Sequence, residues 1–272
     1  MEERTAAQVR QGTVPAGRCV VISGGARGMG LAVARRLAEE GTAVGIFDVE
    51  ADALAAAVAG LAGCAGKVRG FPADTADEAA VETGMEEAAD SLGPIAGAVV
   101  AAGVRQKAAN GLDVGLEEWD RIFRVNTRGA FVFARAAARR MRQSGGGSIV
   151  TIASIAANRA RMGWVAYSAS KAAVLQMTRV LALDLAPFGI RVNAICPSAT
   201  LTPMLAQAAR DEGPQVIRDK IEGSLAEFRP GIPLGRLGTP EEQAAAIVFL
   251  LSGESSFITG AALAVDGGVT ML

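Results

Sequence analysis

Histidine is absent from the 272 residues, and tyrosine occurs once, at Tyr167. Without histidine, Ser-His-Asp hydrolysis and His-ligated zinc are excluded, so proton chemistry near neutral pH falls to tyrosine, lysine, cysteine or a carboxylate. Cysteine is scarce as well. Cys19, Cys64 and Cys196 are far apart and odd in number, which offers neither a disulfide framework nor a Cys-x-x-Cys metal site. Cys19 and Cys196 lie in apolar runs and read as packed thiols, and no metal site is expected. No apolar run reaches bilayer length, and the polar segment before Arg18 lacks the apolar stretch of a signal peptide, so the expected address is the cytoplasm, with no membrane partner. Neither sign of charge is in excess: 27 Lys and Arg against 28 Asp and Glu remove the electrostatic case for nucleic acid as a partner.

Half of the chain is hydrophobic, but only 4% is aromatic. Such a composition suits a sheet-and-helix core of Ala, Val, Ile and Leu. Strands are expected at Arg18–Ser23, Ala43–Asp48, Lys67–Ala73, Ile95–Ala101, Ser148–Ser154, Ile190–Ile195 and Ala262–Val265. Helices are expected at Gly28–Glu40, Glu50–Leu61, Asp77–Ser91, Leu116–Arg142, Val165–Ala186 and Pro240–Ser252. Apolar strands separated by helices indicate a doubly wound, seven-stranded parallel sheet in a three-layer αβα sandwich. Gly41, Gly93 and Gly189 punctuate helix ends. No linker or repeat divides the chain, so residues 17–272 read as one Rossmann-type catalytic domain after a loose arm at 1–16. The long irregular stretch from Pro197 to Pro233 follows the sixth strand and reads as a substrate lid.

The first strand runs into Gly24-Gly25-Ala26-Arg27-Gly28-Met29-Gly30 and then a helix. Glycine lets the backbone approach a pyrophosphate, and the helix N-terminus offers free N–H groups. No Gly-Lys-Ser/Thr follows, which disfavours a triphosphate loop. Asp48 ends the second strand, where a carboxylate accepts ribose hydroxyls and repels a 2′-phosphate. NAD is therefore the expected cofactor, although Arg27 could meet a 2′-phosphate. In Ala73-Asp74-Thr75, Asp74 either caps the next helix or lies beside the adenine amino group, and the second reading is favoured. Ser154 ends the fifth strand, and Tyr167 and Lys171 share one face of the next helix. An ammonium beside a phenol favours phenolate, so Tyr167 is the expected acid/base, Lys171 its activator and Ser154 the group that orients the substrate oxygen. Tyr and Lys four apart also occur on many exposed helices. The strand-end serine and the uniqueness of this tyrosine favour the catalytic reading.

With these motifs in place, the chain resembles the short-chain dehydrogenase/reductase family over essentially its whole length. Ser23-Gly24-x-x-x-Gly28-x-Gly30 resembles its cofactor turn, with Ser for the usual Thr, and Ser154, Tyr167 and Lys171 resemble its catalytic set. The resemblance implies that Asn126 is the fourth catalytic member, holding a water that links lysine to solvent. It implies that Lys171 also binds the nicotinamide ribose and that the assembly is a homotetramer. Two departures stand out: Val100-Ala101-Ala102-Gly103 replaces Asn-Asn-Ala-Gly, and Pro197-Ser198 replaces Pro-Gly. The small residues Ala101, Ala102 and Gly103 still admit the cofactor, and Pro197, Thr200 and Thr202 are left to meet the carboxamide. Within the family, the segment Phe228 to Gly235, the Thr200-x-Thr202-x-Met204 spacing and Arg161-Met162-Gly163 resemble 2,3-dihydro-2,3-dihydroxybenzoate dehydrogenases of secondary metabolism. That likeness implies a small cyclic hydroxy acid or dihydrodiol as substrate, with Arg161 on its carboxylate and Met204 over its ring. A solvated loop arginine is the alternative for Arg161, given Arg159 close by. Two alternatives for the whole protein are a 3-oxoacyl-thioester reductase, which would favour NADP, and a cofactor-sensing scaffold without catalysis.

Overall fold

The computed structural model describes residues 14 and 16–271, so the expected N-terminal arm lies almost wholly outside the described residues. Seven strands form one parallel sheet: β1 (Cys19–Ser23), β2 (Ala43–Asp48), β3 (Val68–Pro72), β4 (Ile95–Val100), β5 (Gly147–Ile152), β6 (Ile190–Pro197) and, last in the chain, β9 (Ala262–Val265). Their order across the sheet is β3-β2-β1-β4-β5-β6-β9. Every side chain of β1 and β4 is buried, as a strand covered on both faces requires. The chain winds outward from β1 to β3 and then returns across the sheet to β4. The carboxyl ends of β1 and β4 therefore flank the switch point where doubly wound sheets bind ligands.

Helices α1 (Gly28–Glu39), α2 (Ala51–Gly60) and α9 (Pro240–Leu251) contribute to the hydrophobic cluster on one face, which includes Val33, Leu37, Leu54 and Ile247. On the other face lie α3 (Glu78–Leu92), α5 (Ala130–Gln143) and α6 (Val165–Leu185). There Phe47 stacks on Phe71 at 5.0 Å and meets Phe133 edge-on at 5.2 Å. Caps fix the helix ends. Asp77 accepts the N–H groups of Ala79 and Ala80 at the start of α3, and Thr239 with Glu242 forms a capping box on α9. Gly41, Gly93 and Gly189 all take positive φ, as their helix-end positions led one to expect.

Two expectations need correction. The helix expected from Leu116 to Arg142 is not continuous: α4 (Leu116–Phe123) passes through a π-helical turn at Arg124–Gly129 before α5 begins. The wider turn swings Asn126 inward, where its side chain is held by Val104 and Ser170. It also lays Gly129 so close to Thr75 that an added Cβ would lie 2.6 Å from the threonine hydroxyl. The stretch after β6 is not irregular either. It contains α7 (Pro203–Glu212), α8 (Gln215–Glu222) and an antiparallel ribbon of β7 (Gly223–Ser224) with β8 (Arg229–Pro230). Thr202 caps α7 with Pro203 behind it, and Gly213 ends it at a φ of 94°. These are ordinary start and stop signals, hidden by a largely polar composition. Leu205 and Ala208 of α7 pack with Ile155, Ile232 and Val269, so this element covers one side of the site.

Candidate active site

The glycine turn after β1 closes tightly on the end of β4. Gly24 has a φ of 62°, and a Cβ there would lie 2.7 Å from the Ala102 backbone. The Ser23 hydroxyl accepts the N–H groups of both Ala101 and Ala102, so the loop that lacks the asparagine pair is still held by side-chain hydrogen bonds. Gly28, with a φ of 57°, presents the position of an absent side chain toward Thr202, 3.5 Å away. The first turn of α1 has no side-chain cap and no acidic residue, leaving N–H groups and the positive end of the helix dipole for an anion. These are the features a dinucleotide pyrophosphate needs, and the residues fit that group.

Asp48 accepts the N–H of Ala26 with one oxygen and that of Glu50 with the other, both at 3.1 Å. Arg27 forms an exposed ion pair with Glu50 at 2.9 Å. Asp74 is not the helix cap; Asp77 is. Asp74 instead accepts the Ala76 N–H and pairs with Arg124 at 2.5 Å. Burial tends to raise the Asp74 carboxyl, but those two contacts outweigh it and hold the group below its usual range. Thr75 is buried beside the π turn.

At the ends of β4 and β5 a cavity opens, lined among others by Met29, Ala101, Gly103, Ser154, Tyr167 and Lys171. Ser154 accepts the Ala156 N–H in a short 3₁₀ turn, and it lines the same cavity as the Tyr167 phenol. Lys171 is 6% exposed, donates to the Ile152 carbonyl at 2.8 Å and lies 5.8 Å from the centre of the Tyr167 ring. Burial lowers its ammonium to about 8. The expectation that Lys171 lowers the tyrosine is not what dominates here. Burial raises the phenol above its ordinary value, and the neighbouring Ser154 hydroxyl draws it back in part.

Asn126 is buried, and its side chain is committed to protein: it accepts from Val104 N–H at 2.8 Å and donates to Val104 carbonyl and to Ser170. Three of its four hydrogen-bonding positions are thus spent on locking the loop after β4 to α6. Sequence reasoning missed two partners in this lock. Ser170 joins Asn126 to the Tyr167 carbonyl. Gln106, fully buried, accepts the Tyr167 N–H and donates to the Gly163 carbonyl, both at 3.0 Å. It satisfies an amide of the first turn of α6, which has no side-chain cap of its own. No motif betrays this glutamine, because its partner is 61 residues away.

The outer part of the cavity is lined by Pro197, Thr200, Thr202 and Met204, and by Arg161, Met162 and Trp164. Thr200 is buried against Gln243, whereas Thr202 is spent on capping α7. Trp164 meets Tyr167 edge-on at 5.4 Å. Arg159 points away and donates to the Thr270 carbonyl, but Arg161 faces the cavity and makes no side-chain hydrogen bond or ion pair among the described residues. Lys220, Glu227 and Arg229 line the same cavity. Arg105 ties the loop after β4 to α7 through Asp211 at 2.7 Å and Glu212 at 2.5 Å. Cys19 and Cys196 are buried free thiols, and no cluster able to hold a metal occurs among the described residues.

The chain is similar to known proteins over most of its length. The family described as Enoyl-(Acyl carrier protein) reductase matches residues 24–270. The 2,3-dihydro-2,3-dihydroxybenzoate dehydrogenase of Bacillus subtilis (strain 168) is 38% identical, covering 94% of this chain and 97% of its own. The cis-4-hydroxycyclohexanecarboxylate dehydrogenase of Sinomonas cyclohexanicum is 37% identical over 93% and 96% of the two chains. Among solved structures, a short-chain type dehydrogenase/reductase from Mycobacterium marinum superposes with a TM-score of 0.86 at 34% identity, covering 97% of this chain and 100% of that one.

Proposed function

The chain belongs to the short-chain dehydrogenase/reductase family, and from that premise we propose that it is an NAD-dependent dehydrogenase of a small cyclic hydroxy acid or dihydrodiol. The observation that carries the proposal is the convergence of Ser154, Tyr167 and the buried Lys171 on one cavity, with the Lys171 ammonium 5.8 Å from the centre of the Tyr167 ring. Ser154 orients the substrate oxygen, and Tyr167 takes the hydroxyl proton in oxidation or returns it in reduction. Lys171 supplies the positive charge that the phenolate needs, and Gln106, Asn126 and Ser170 hold α6 so that the phenol does not drift. The bound dinucleotide supplies the hydride acceptor. Gly24, Gly28 and Met29 would hold its pyrophosphate side, Asp48 and Asp74 its adenosine, and Gly103, Lys171, Thr200 and Thr202 its nicotinamide end. The half-buried tyrosine and the buried lysine distinguish this reading from that of a scaffold, which needs neither.

Asp48 and Glu50 together support NAD over NADP, since a 2′-phosphate would approach two carboxylates and an arginine already paired. The Arg27–Glu50 pair is exposed and weak, so Asp48 bears most of the discrimination. Asp48→Ala is expected to narrow the ratio of kcat/KM for NAD over NADP by ~10-fold or more, one like-charge contact being worth that much. A wild-type enzyme that prefers NADP would overturn the assignment and favour the acyl-thioester reductase reading.

A pH profile tests the proton role. Because burial raises the Tyr167 phenol, phenolate is scarce at neutral pH, and kcat/KM for alcohol oxidation should climb as pH rises past neutrality. The reverse reduction, which needs the phenol, should fall over the same range. The apparent pKa belongs to the Tyr167–Lys171 pair rather than to either group. Lys171→Met should move the rising limb to higher pH, and an unmoved limb would remove lysine from the mechanism.

The proposal extends to a single catalytic domain at 17–272 whose lid spans about 197–233, working in the cytoplasm. Exposed Phe131 on α5, and Val180 and Leu183 on α6, support a homo-oligomer, a tetramer by family likeness. Among the described residues no helix is long and apolar enough to cross a membrane.

A further inference from the structure

Three cations line the far end of the cavity, from three separate segments. Arg161 comes from the turn after β5, Lys220 from α8 and Arg229 from β8. The carboxylates nearby are largely spent. Glu227 pairs with Arg229 at 3.1 Å, and Glu212 is held by Arg105. The Lys220 side chain makes no hydrogen bond or ion pair among the described residues; its ammonium lies 5.3 Å from the centre of the Trp164 ring. The Nε of Arg229 is buried without a partner. Burial, and then repulsion from Arg229 and Arg161, push Lys220 down to about 8. Desolvated like charges facing one another are costly unless an anion compensates them.

Resting on the reading of this cavity as the substrate pocket, we propose that Lys220 and Arg229 are specificity determinants which, with Arg161, form an oxyanion-binding pole shared between the body and the lid. A carboxylate or sulfonate on the substrate then ties the lid to the body, because two of the three cations ride on lid elements. Acid-bearing rings are selected over neutral rings before any chemistry takes place. A planar guanidinium on either side of the group can take two oxygens at once, and the ammonium adds a point charge.

The test is a binding titration that needs no turnover. Tryptophan occurs twice, so a Trp119→Phe background leaves Trp164, beside Lys220, as the only reporter. Quenching by benzoate and by benzenesulfonate should saturate, with neutral benzyl alcohol weaker by ~10-fold or more, as befits charge-assisted contacts. Lys220→Gln and Arg229→Gln should each weaken benzoate by ~10-fold while leaving benzyl alcohol unchanged. Hydrogen exchange in α7 and α8 should slow with benzoate and not with the alcohol. If Arg229→Gln disturbs the lid by orphaning Glu227, Lys220→Gln, which breaks no ion pair, decides the matter alone. Equal affinity for benzoate and benzyl alcohol, or benzoate binding indifferent to Lys220→Gln, would overturn the proposal. Failure here is separable from failure of the dehydrogenase reading. Tyr167→Phe should bind benzoate as the parent does, so an inactive parent that still selects anions keeps the pole and loses the reaction.

Discussion

Tyr167→Phe is expected to fold, to bind the dinucleotide nearly as the parent does, and to lose ~10²–10⁴ in kcat, the range contributed by a positioned general acid/base. The substitution removes one hydroxyl from a half-buried ring whose remaining contacts, the edge-on packing on Trp164 and the backbone bonds to Gln106 and Ser170, do not involve that oxygen. The loss should therefore be nearly pure chemistry. No second tyrosine and no histidine exists to take over the proton. Ser154 still accepts the Ala156 N–H, so the substrate oxygen keeps its orienting group. Single-turnover rates at saturating substrate are the proper readout, since release steps can mask chemistry. A variant that retains more than about a third of parental turnover under those conditions would remove Tyr167 from the mechanism.

Arg161→Ala should be the next most damaging change, and selectively so. The guanidinium faces the cavity without a hydrogen-bonded or ion-paired partner among the described residues, and burial lowers its pKa, with repulsion from Arg229 adding to the effect. A desolvated fork-to-carboxylate contact is strong, so kcat/KM for a cyclic hydroxy acid should fall by ~10²-fold or more, mostly through KM. Arg161→Lys should recover only part of that loss, because a point charge lacks the fork. A cyclic diol without the acid is the control, and its kcat/KM should barely respond. Equal losses for acid and diol would mean that Arg161 supports the loop rather than the substrate.

Much of this was legible in the sequence, and the reasons are specific. β2 falls where its apolar run places it, at Ala43–Asp48, because a strand buried on both faces needs an unbroken apolar segment, and the apolar run Ala262–Val265 likewise marks β9, the largely exposed edge strand. Gly24, Gly28, Ser154, Tyr167 and Lys171 could be read because close backbone approach and i, i+4 spacing are local properties of the chain. What could not be read depends on distant partners. The π turn at Arg124–Gly129 exists where Asn126 is clamped by Val104 and Ser170 and Gly129 lies against Thr75, none of which leaves a local trace. Gln106 is an ordinary loop glutamine until α6 presents Tyr167 N–H to it. Lys220 and Arg229 look like solvated lid charges until α8 and β8 fold them over the cavity. The helices between β6 and α9 escape a sequence reading for a different reason: their caps, Thr202 and Gly213, are visible, but their polar sequences resemble loop.

With a bound dinucleotide as acceptor, a hydride would leave the substrate's carbinol carbon while Tyr167 handles the proton. The most direct measurement follows a label. A cyclic hydroxy acid deuterated at the carbinol carbon is incubated with the protein and NAD, and the recovered dinucleotide is weighed by mass spectrometry. One deuterium is expected in the reduced dinucleotide with the parent protein, and almost none over the same time with Tyr167→Phe. Deuterium found in water instead, or label transferred equally fast by Tyr167→Phe, would contradict this mechanism.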